Sequence, residues 1–290
     1  MSGNTLELID PQRQSLAFKI YAFEEDAYFS SLKKYNYFSV ILVTKGKGMV
    51  TADLSQYPFD GPCLMCFSLY QPFKLKSEGA FQGVMVNFHP DFFCLHKHRN
   101  EVSCNGVLFN NIYDSPVTGL VRDETELLLS TINSLKLELQ STGIAQTEVL
   151  ISYLKILLIN ASRIKLFQQQ AEDASITKTP VILNTLKNAI EEHFTALHSA
   201  GEYADLLNIS TAALNRVCKT HFNKTLSNLI TDRIIIEAKR QLYLTDKPVK
   251  QIAYELGFND EFYFSRFFKN HVAISPQFFR DTIGFNRANA

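Results

Sequence analysis

The stretch Ala253-Tyr-Glu-Leu-Gly-Phe-Asn-Asp-Glu-Phe-Tyr-Phe-Ser-Arg-Phe-Phe-Lys269 decides how the C-terminal part of this chain folds. A helix-turn-helix needs a small side chain where its two helices touch, and Ala253 provides one. Its turn needs a residue that tolerates positive φ, and Gly257 does so without steric cost. Phe264 and Phe267 then supply apolar anchors for the second helix. The stretch therefore predicts one complete helix-turn-helix.

The same pattern occurs once earlier in the chain. Ala204 is followed at the same spacing by Asn208, which also tolerates positive φ. Leu214 and Val217 then take the positions of the two aromatic anchors, one residue closer to the turn. Two copies with shared offsets indicate a duplicated motif far more strongly than one copy would. The copies also share three basic positions, which are Arg216 and Arg266, Lys219 and Lys269, and His221 and His271.

A single helix is predicted between the two copies. Leu226 to Leu244 contains no Gly or Pro, and Pro248 stops the helix soon after. A helix of this length spans about 28 Å at roughly 1.5 Å per residue. Adjacent major-groove segments on one side of B-DNA recur about every 34 Å. A rigid spacer of this length can therefore present two recognition helices to neighbouring segments of the major groove.

These segments resemble the C-terminal signature of AraC/XylS-type regulators over about 110 residues. The matching segments are Ala238-Lys-Arg-Gln-Leu-Tyr-Leu244, Val249-Lys-Gln-Ile-Ala253, Leu256-Gly-Phe258, Phe262 to Lys269, Ser275-Pro276 and Arg280. The resemblance implies a transcription factor that binds double-stranded DNA as a homodimer and contacts RNA polymerase. An activator is expected, with a repressor as the open alternative, and the absence of a signal peptide together with an odd number of cysteines favours a cytoplasmic protein. The family usually has Gly where this chain has Ala273, so the turn before Ser275-Pro276 is expected to differ locally.

The recognition-helix residues that the core does not need are the predicted DNA contacts. Arg suits guanine, Asn suits adenine, and Asp or Glu can accept from cytosine, while lysines near helix ends suit phosphates. Two alternatives stay open: the arginines could pair with Asp205 or Glu255, and the carboxylates at 260 and 261 could cap their helix. The candidates are Thr211, Ala212, Asn215, Arg216 and Lys219 in the first copy, and Asn259, Asp260, Glu261, Tyr263, Ser265, Arg266 and Lys269 in the second.

The N-terminal part reads as antiparallel β from about Phe18 to Phe93, with short aromatic and β-branched segments between turn signals. In outline it matches the cupin-like β-domain, a barrel or sandwich, that often precedes the DNA-binding domain in this family. No residue identifies a ligand. A small-molecule effector is expected inside this domain, although core packing is the commoner role for such aromatics. The residues that could line the pocket are Phe18, Tyr21, Phe38, Phe67, Tyr70, Phe73, Phe81 and Phe88.

Residues 121–170 read as two helices separated near Gly143. On the second helix, Leu150, Leu154, Leu157, Ala161 and Ile164 form a seam of alternating four- and three-residue spacing. We expect one stripe, either this seam or the adjacent Ile151 and Leu158, to pack on the β-domain and the other to form a dimer interface. Two alternatives stay open: both stripes could be internal core, or the β-domain could form the interface. The chain is thus an α+β protein of four parts: a cupin-like sensor domain (1–120), a helical dimerisation element (121–170), a linker (171–179) and an all-α DNA-binding domain (180–290).

Other classes of function find little support in the sequence. The chain has 29 basic and 29 acidic side chains, no apolar N-terminal segment typical of a signal peptide and no apolar run long enough to cross a bilayer, so no membrane partner is expected. Cys63, Cys66, Cys94 and Cys104 with His96 and His98 could suggest a metal site. However, Cys63 and Cys66 have an odd spacing that points them to opposite faces of a strand, so neither a metal nor a cofactor is expected.

No nucleophile–base pair, phosphate-binding loop or carboxylate pair stands out, which argues against catalysis. Two alternatives to an effector-controlled regulator remain. One is a cupin-type enzyme with an accessory helical domain. The other is a DNA-binding regulator that responds to a protein partner.

Overall fold

The computed structural model describes residues 5–10, 15–53, 55–98, 102, 106–141, 143–175 and 181–283. The chain divides into two compact units. Unit 1 comprises residues 1–111 and 115–172, and unit 2 comprises 112–114 and 173–290. The architecture is mixed α+β, with the strands in unit 1 and the helix-turn-helix segments in unit 2.

Unit 1 contains two antiparallel sheets. Its strands are β1 (Thr5–Asp10), β2 (Ser15–Phe23), β3 (Phe38–Lys45), β4 (Lys47–Ala52), β5 (Ser55–Asp60), β6 (Cys63–Phe67), β7 (Phe73–Ser77), β8 (Gln82–Phe88) and β9 (Val117–Gly119), with a 3-10 turn at Ala27–Phe29. One sheet has the strand order β1-β2-β8-β3-β6-β9, and the other has the order β5-β4-β7. The antiparallel β-structure predicted from the sequence is therefore present, and it begins earlier and includes a later strand than expected.

An aromatic core connects the two sheets. Phe67 of β6 stacks on Phe73 of β7 with ring centroids 4.0 Å apart, so the six-stranded and three-stranded sheets contribute to one cluster. Phe81 stacks on Phe23 in the same cluster. Because these rings are fully buried, they hold the two sheets together.

The aromatics predicted to line a single pocket lie in two separate clusters. Phe38 and Phe88 stack on each other and pack against Phe109, outside the cluster that contains Phe67 and Phe73. Successive residues of a strand point to opposite faces, and Val40 and Leu42 share the face of Phe38 whereas Ile41 belongs to the inter-sheet core. The eight residues that could line a pocket therefore do not all share one cluster, and core packing is the role the structure gives to Phe38, Phe67, Phe73 and Phe88.

Two helices complete unit 1: α1 (Arg122–Gln140) and α2 (Gln146–Ser175). Helix α2 is longer than predicted and continues into the segment 171–179 assigned to a linker. No Gly or Pro interrupts the chain before Ser175, so no local signal ends the helix earlier. The rest of the predicted linker, from residue 176, lies outside the described residues.

The predicted dimer seam is buried within the protomer. The residues concerned are Leu150, Leu154, Leu157, Leu158, Ala161 and Ile164. Gln168 donates from Nε2 to the Gly119 carbonyl oxygen at 2.7 Å, and Lys165 donates from Nζ to the Ser115 carbonyl oxygen at 3.1 Å, so this face of α2 is directed at its own unit. The assignment of the seam to a subunit interface is therefore wrong, because seven-residue spacing specifies an apolar face and not its partner.

Unit 2 is helical. Its helices are α3 (Val181–His193), α4 (Ala200–Leu207), α5 (Thr211–Phe222), α6 (Leu226–Leu244), α7 (Val249–Glu255), α8 (Glu261–Val272) and α9 (Pro276–Ile283). The predicted spacer helix is confirmed as α6, and its first and last residues are the predicted ones. It contacts each of the other six described helices of this unit.

A buried and an exposed leucine of unit 1 give a direct test of the buried seam. Leu157 of α2 is fully buried whereas Leu137 of α1 is 70% exposed. Leu157→Ala should lower the free energy of unfolding by about 2–5 kcal/mol because it leaves a cavity. Leu137→Ala, the matched control, should change it by less than about 0.5 kcal/mol. Urea denaturation measures both values. Dissociation of a dimer by Leu157→Ala without loss of stability would contradict the buried position.

Candidate nucleic-acid interface

The turn of the first helix-turn-helix has the geometry expected of it. Asn208 adopts a left-handed conformation with φ 53°, and its N–H donates to the Ala204 and Asp205 carbonyl oxygens. Ala204 is buried where α4 meets the following turn. Ser210 then caps α5 by accepting a hydrogen bond from the Ala213 N–H at 3.3 Å. The local sequence thus ends one helix and begins the next within three residues.

The turn of the second copy requires glycine for two reasons. Gly257 has φ 82°, and a Cβ at this position would lie 1.9 Å from the Thr195 carbonyl oxygen. The backbone of the loop before α4 therefore approaches this turn more closely than any side chain would allow.

Asp260 is committed to capping α8. Its Oδ1 accepts a hydrogen bond from the Tyr263 N–H at 2.6 Å, in an N-cap geometry. Of the two roles that the sequence left open for this carboxylate, the structure shows the cap. Capping satisfies a free N–H of the first turn and places negative charge at the positive end of the helix dipole.

The turn after α8 keeps its left-handed residue although that residue is alanine. Ala273 has φ 68°, and its N–H donates to the Lys269 carbonyl oxygen at 2.8 Å. Asn223 holds the same position after α5 with φ 55°. The expectation of a different local turn is therefore wrong. Burial of the neighbouring side chains of Val272 and Phe279 stabilises this turn by more than the strain of about 1 kcal/mol that alanine has at positive φ.

The two recognition helices expose the same face. Apart from Thr211 and Glu261, positions related by fifty residues have matching burial along α5 and α8, with Leu214 and Phe264 fully buried at equivalent places. Most of the predicted contact residues lie on the exposed face. These are Thr211, Ala212, Arg216 and Lys219 in the first copy, and Asn259, Asp260, Tyr263, Arg266 and Lys269 in the second. Asn215, Glu261 and Ser265 are half-buried.

Asn215 is held by a bond within the fold. Its Oδ1 accepts a hydrogen bond from the Leu226 N–H at 3.0 Å, at the start of α6. The equivalent pair in the second copy is Ser265 and Pro276, and proline has no N–H to satisfy. The side chain proposed to read adenine therefore positions α5 on the spacer helix. Sequence reasoning missed this role. The signal for it is that asparagine becomes serine in the second copy where leucine becomes proline, so the hydrogen-bond acceptor is lost together with the N–H donor.

The arginines of the recognition helices carry free positive charge. Within the described ranges, neither Arg216 nor Arg266 takes part in an ion pair, so the proposed pairs with Asp205 and Glu255 are not formed. Glu255 instead binds Lys247, with Oε2 and Nζ 2.6 Å apart. The hydrogen bond from Lys247 and a second from Gln251 lower the pKa of Glu255 below its ordinary value.

Exposed arginine and lysine on one helix face can bind a polyanion. Arg216 and Lys219 are one turn apart on α5, and Arg266 and Lys269 repeat that arrangement on α8. A guanidinium can bind a guanine edge with two parallel hydrogen bonds, while an ammonium suits a phosphate. Sequence reasoning also missed Phe262, an exposed aromatic residue on the first turn of α8.

The cysteines do not form a metal site in the described part of the chain. Cys63, Cys66 and Cys94 are buried free thiols, and no group of three or more potential ligands is found among the described residues. Burial raises the pKa of Cys63 to about 12, which keeps the thiol protonated and makes it a poor ligand. Cys104 lies outside the described residues. None of the helices described has the length and hydropathy needed to span a membrane.

Comparisons with known proteins find similarity in the C-terminal part of the chain. Residues 203–282 match a helix-turn-helix domain family. The raffinose operon transcriptional regulatory protein RafR of Pediococcus pentosaceus is 30% identical over 101 residues, which cover 35% of this chain and 36% of that protein. The HTH-type transcriptional activator RhaS of Mannheimia succiniciproducens is 34% identical over 88 residues, covering 30% of this chain and 33% of that protein.

The C-terminal domain of AraT, a response regulator from Geobacillus stearothermophilus, is 28% identical and covers 37% of this chain and 88% of that one, with a TM-score of 0.34. The chain spans about a third of the length of RafR and of this RhaS.

The assignment of Asn215 to the fold can be tested by its effect on stability. Asn215→Ala should lower the free energy of unfolding by about 1–3 kcal/mol, because it leaves the Leu226 N–H without its acceptor. Thr211→Ala, an exposed position on the same helix, serves as the control and should change stability by less than about 0.5 kcal/mol. Thermal denaturation measures both. An unchanged melting temperature for Asn215→Ala would contradict the structural role and make this side chain a candidate for base contact again.

Proposed function

We propose that this chain, whose C-terminal unit is a double helix-turn-helix domain of the AraC/XylS type, is a sequence-specific DNA-binding transcriptional regulator. The observation that carries the proposal is that the two recognition helices, α5 and α8, expose equivalent cationic faces. In the sequence, α5 precedes the spacer helix α6 and α8 follows it. The relatives that match this unit are transcriptional regulators and not enzymes. These relatives therefore favour a regulator over a cupin-type enzyme.

The contacts within the DNA-binding surface can be divided by chemistry. Arg216 and Arg266 would read base edges in the major groove, and Lys219 and Lys269 would bind phosphates. Thr211, Ala212, Asn259, Tyr263 and Ser265 stay as candidate contacts because their side chains form no hydrogen bond or ion pair among the described residues, although the Tyr263 ring contacts Phe258. Asp260 is a cap and Asn215 a structural residue, so neither is part of the proposed readout.

The second copy would use fewer hydrogen bonds to bases than the first. The Asp260 carboxylate already accepts a hydrogen bond from the Tyr263 N–H, and Glu261 is half-buried at the start of α8. The first copy has no carboxylate at the corresponding place, since Ser210 and Thr211 begin α5. Arg216 would therefore carry more of the sequence discrimination than Arg266.

Unit 1 would supply control and assembly. A small-molecule effector could act where the inter-sheet core meets half-buried hydroxyl groups, since Tyr35 donates to the Tyr28 hydroxyl at 2.8 Å beside that core. These tyrosines offer polar contacts on an apolar wall, which is the usual composition of a ligand site. A protein partner in place of an effector is the alternative. Activation of transcription, which the name of RhaS states for that protein, would complete the function, and it would require a contact of this chain with RNA polymerase.

A homodimer would form through the outer face of α2 rather than through its buried seam. Ile156, Leu166 and Phe167 lie on the side of the helix opposite to Leu154 and Leu157, and Phe167 is 70% exposed. Exposed apolar side chains on one face of a long helix are typical of a helix-to-helix interface. A second copy offers the same face, as a two-fold dimer requires.

The DNA-binding proposal is tested with the full chain on a duplex selected from a random library. Arg216→Ala should cost about 1–3 kcal/mol on that duplex and relax preference at one base pair, whereas Lys219→Ala should weaken binding to all duplexes and reduce the salt slope by about one. Arg266→Ala is the matched variant and should reduce discrimination less than Arg216→Ala. Binding to a panel of single-base variants measures the ranking. A wild-type chain without salt-dependent DNA binding would refute the function, and the opposite ranking would refute only the asymmetry.

The dimer proposal predicts a change of mass. Phe167→Glu should shift the protein from dimer to monomer in sedimentation equilibrium, because two buried carboxylates would face each other across the axis. Leu206→Glu, at an exposed apolar residue of unit 2, is the control and should leave the mass unchanged. A dimer that persists with Phe167→Glu would move the interface to another surface, such as the β-sheets.

A further inference from the structure

The first turn of α8 carries an aromatic side chain that the fold does not use. Phe262 is 76% exposed, and the ring contacts found among the described residues do not include it. Its neighbour Phe264 is fully buried and packs against Phe258 and Phe268. A large apolar side chain exposed beside a well-packed one calls for a partner outside the chain.

The position of Phe262 places it on the cationic face of the recognition helix. Arg266 follows four residues later and Lys269 seven residues later, so the three side chains lie along one side of α8. The equivalent residues of α5 are Ala212, Arg216 and Lys219, which are also exposed. Whatever partner Arg266 meets therefore also meets Phe262.

The major groove offers one apolar group that suits such a side chain. Thymine presents its 5-methyl group at the groove edge, while the other base edges present mainly hydrogen-bond donors and acceptors. Phe262 has no hydrogen-bonding group, and Asp260, two residues earlier, is occupied as the helix cap. At the position of Phe262, the first turn of α8 therefore offers an apolar contact and no hydrogen bond.

We infer that the second recognition helix reads thymine through its 5-methyl group, with Phe262 as the specificity-determining residue. The inference rests on the proposed DNA-binding function and states the chemistry by which α8 would select its base pairs. Double-stranded DNA is the expected partner because Arg266 and Lys269, on the same face as Phe262, are exposed and form no ion pair among the described residues. Ala212 would make a smaller contact of the same type in the first copy, since its side chain is a single methyl group.

The experiment removes the methyl group from the DNA instead of altering its base pairing. In the selected duplex, each thymidine is replaced in turn by deoxyuridine, which pairs identically and lacks the 5-methyl group. For the wild-type full chain we expect about a fourfold loss of affinity at one or two positions, the effect of exposing one methyl-sized group. Phe262→Ala should bind the selected duplex about tenfold more weakly and should show no further loss at those positions.

Phe278→Ala is the control, because Phe278 is a half-exposed phenylalanine on α9 and lies outside the recognition helices. It should keep the wild-type response to every deoxyuridine. Specific, salt-dependent binding without any effect of deoxyuridine would overturn the inference and leave the regulator function standing. A Phe262→Ala variant that discriminates like the wild type would also overturn it. Failure to select any duplex would refute the regulator function and the inference together.

Discussion

The position of both recognition helices depends on the burial of one helix. Helix α6 contacts every other described helix of unit 2, and Leu229, Ile230, Ile234, Ala238 and Leu242 are almost completely removed from solvent along its length. Because a helix is rigid over this length, the side chains at its two ends fix the two motifs relative to each other. At one end Asn215 accepts from the Leu226 N–H, and at the other Arg280 donates to the Leu242 and Lys247 carbonyl oxygens.

The charged residues along α6 add to this constraint. Burial alone would raise the pKa of Glu237, but hydrogen bonds and charge from Arg240, with a further contribution from Arg233, hold that pKa below its ordinary value. Arg233 also binds Glu191 of α3 at 2.7 Å and lies over the Phe194 ring. Arg233 and Arg240 therefore stabilise the fold through these ion pairs. The exposed arginine and lysine of α5 and α8, in contrast, form no ion pair among the described residues.

The two helix-turn-helix copies are alike in backbone and different in chemistry. Each has a left-handed residue in its internal turn and another after its recognition helix, at Asn208 and Asn223 in the first copy and at Gly257 and Ala273 in the second. The first copy satisfies the Leu226 N–H with an asparagine, whereas Pro276 removes that requirement from the second. A duplicated framework of this kind can carry different side chains on its two recognition faces, such as Ala212 on α5 and Phe262 on α8.

The sequence by itself determined the features that depend on near neighbours in the chain. The limits of α6, the tight turns at Asn208 and Gly257, and the exposed faces of α5 and α8 follow from helix periodicity and from the few residues that tolerate positive φ. Only the tertiary structure decided which partner each face takes. Leu154 and Leu157 pack inside the protomer, Asn215 bonds to α6, and Phe38 and Phe67 lie in different clusters. Periodicity identifies an apolar or polar face, but its partner is set by contacts between residues far apart in the chain, which no local pattern encodes.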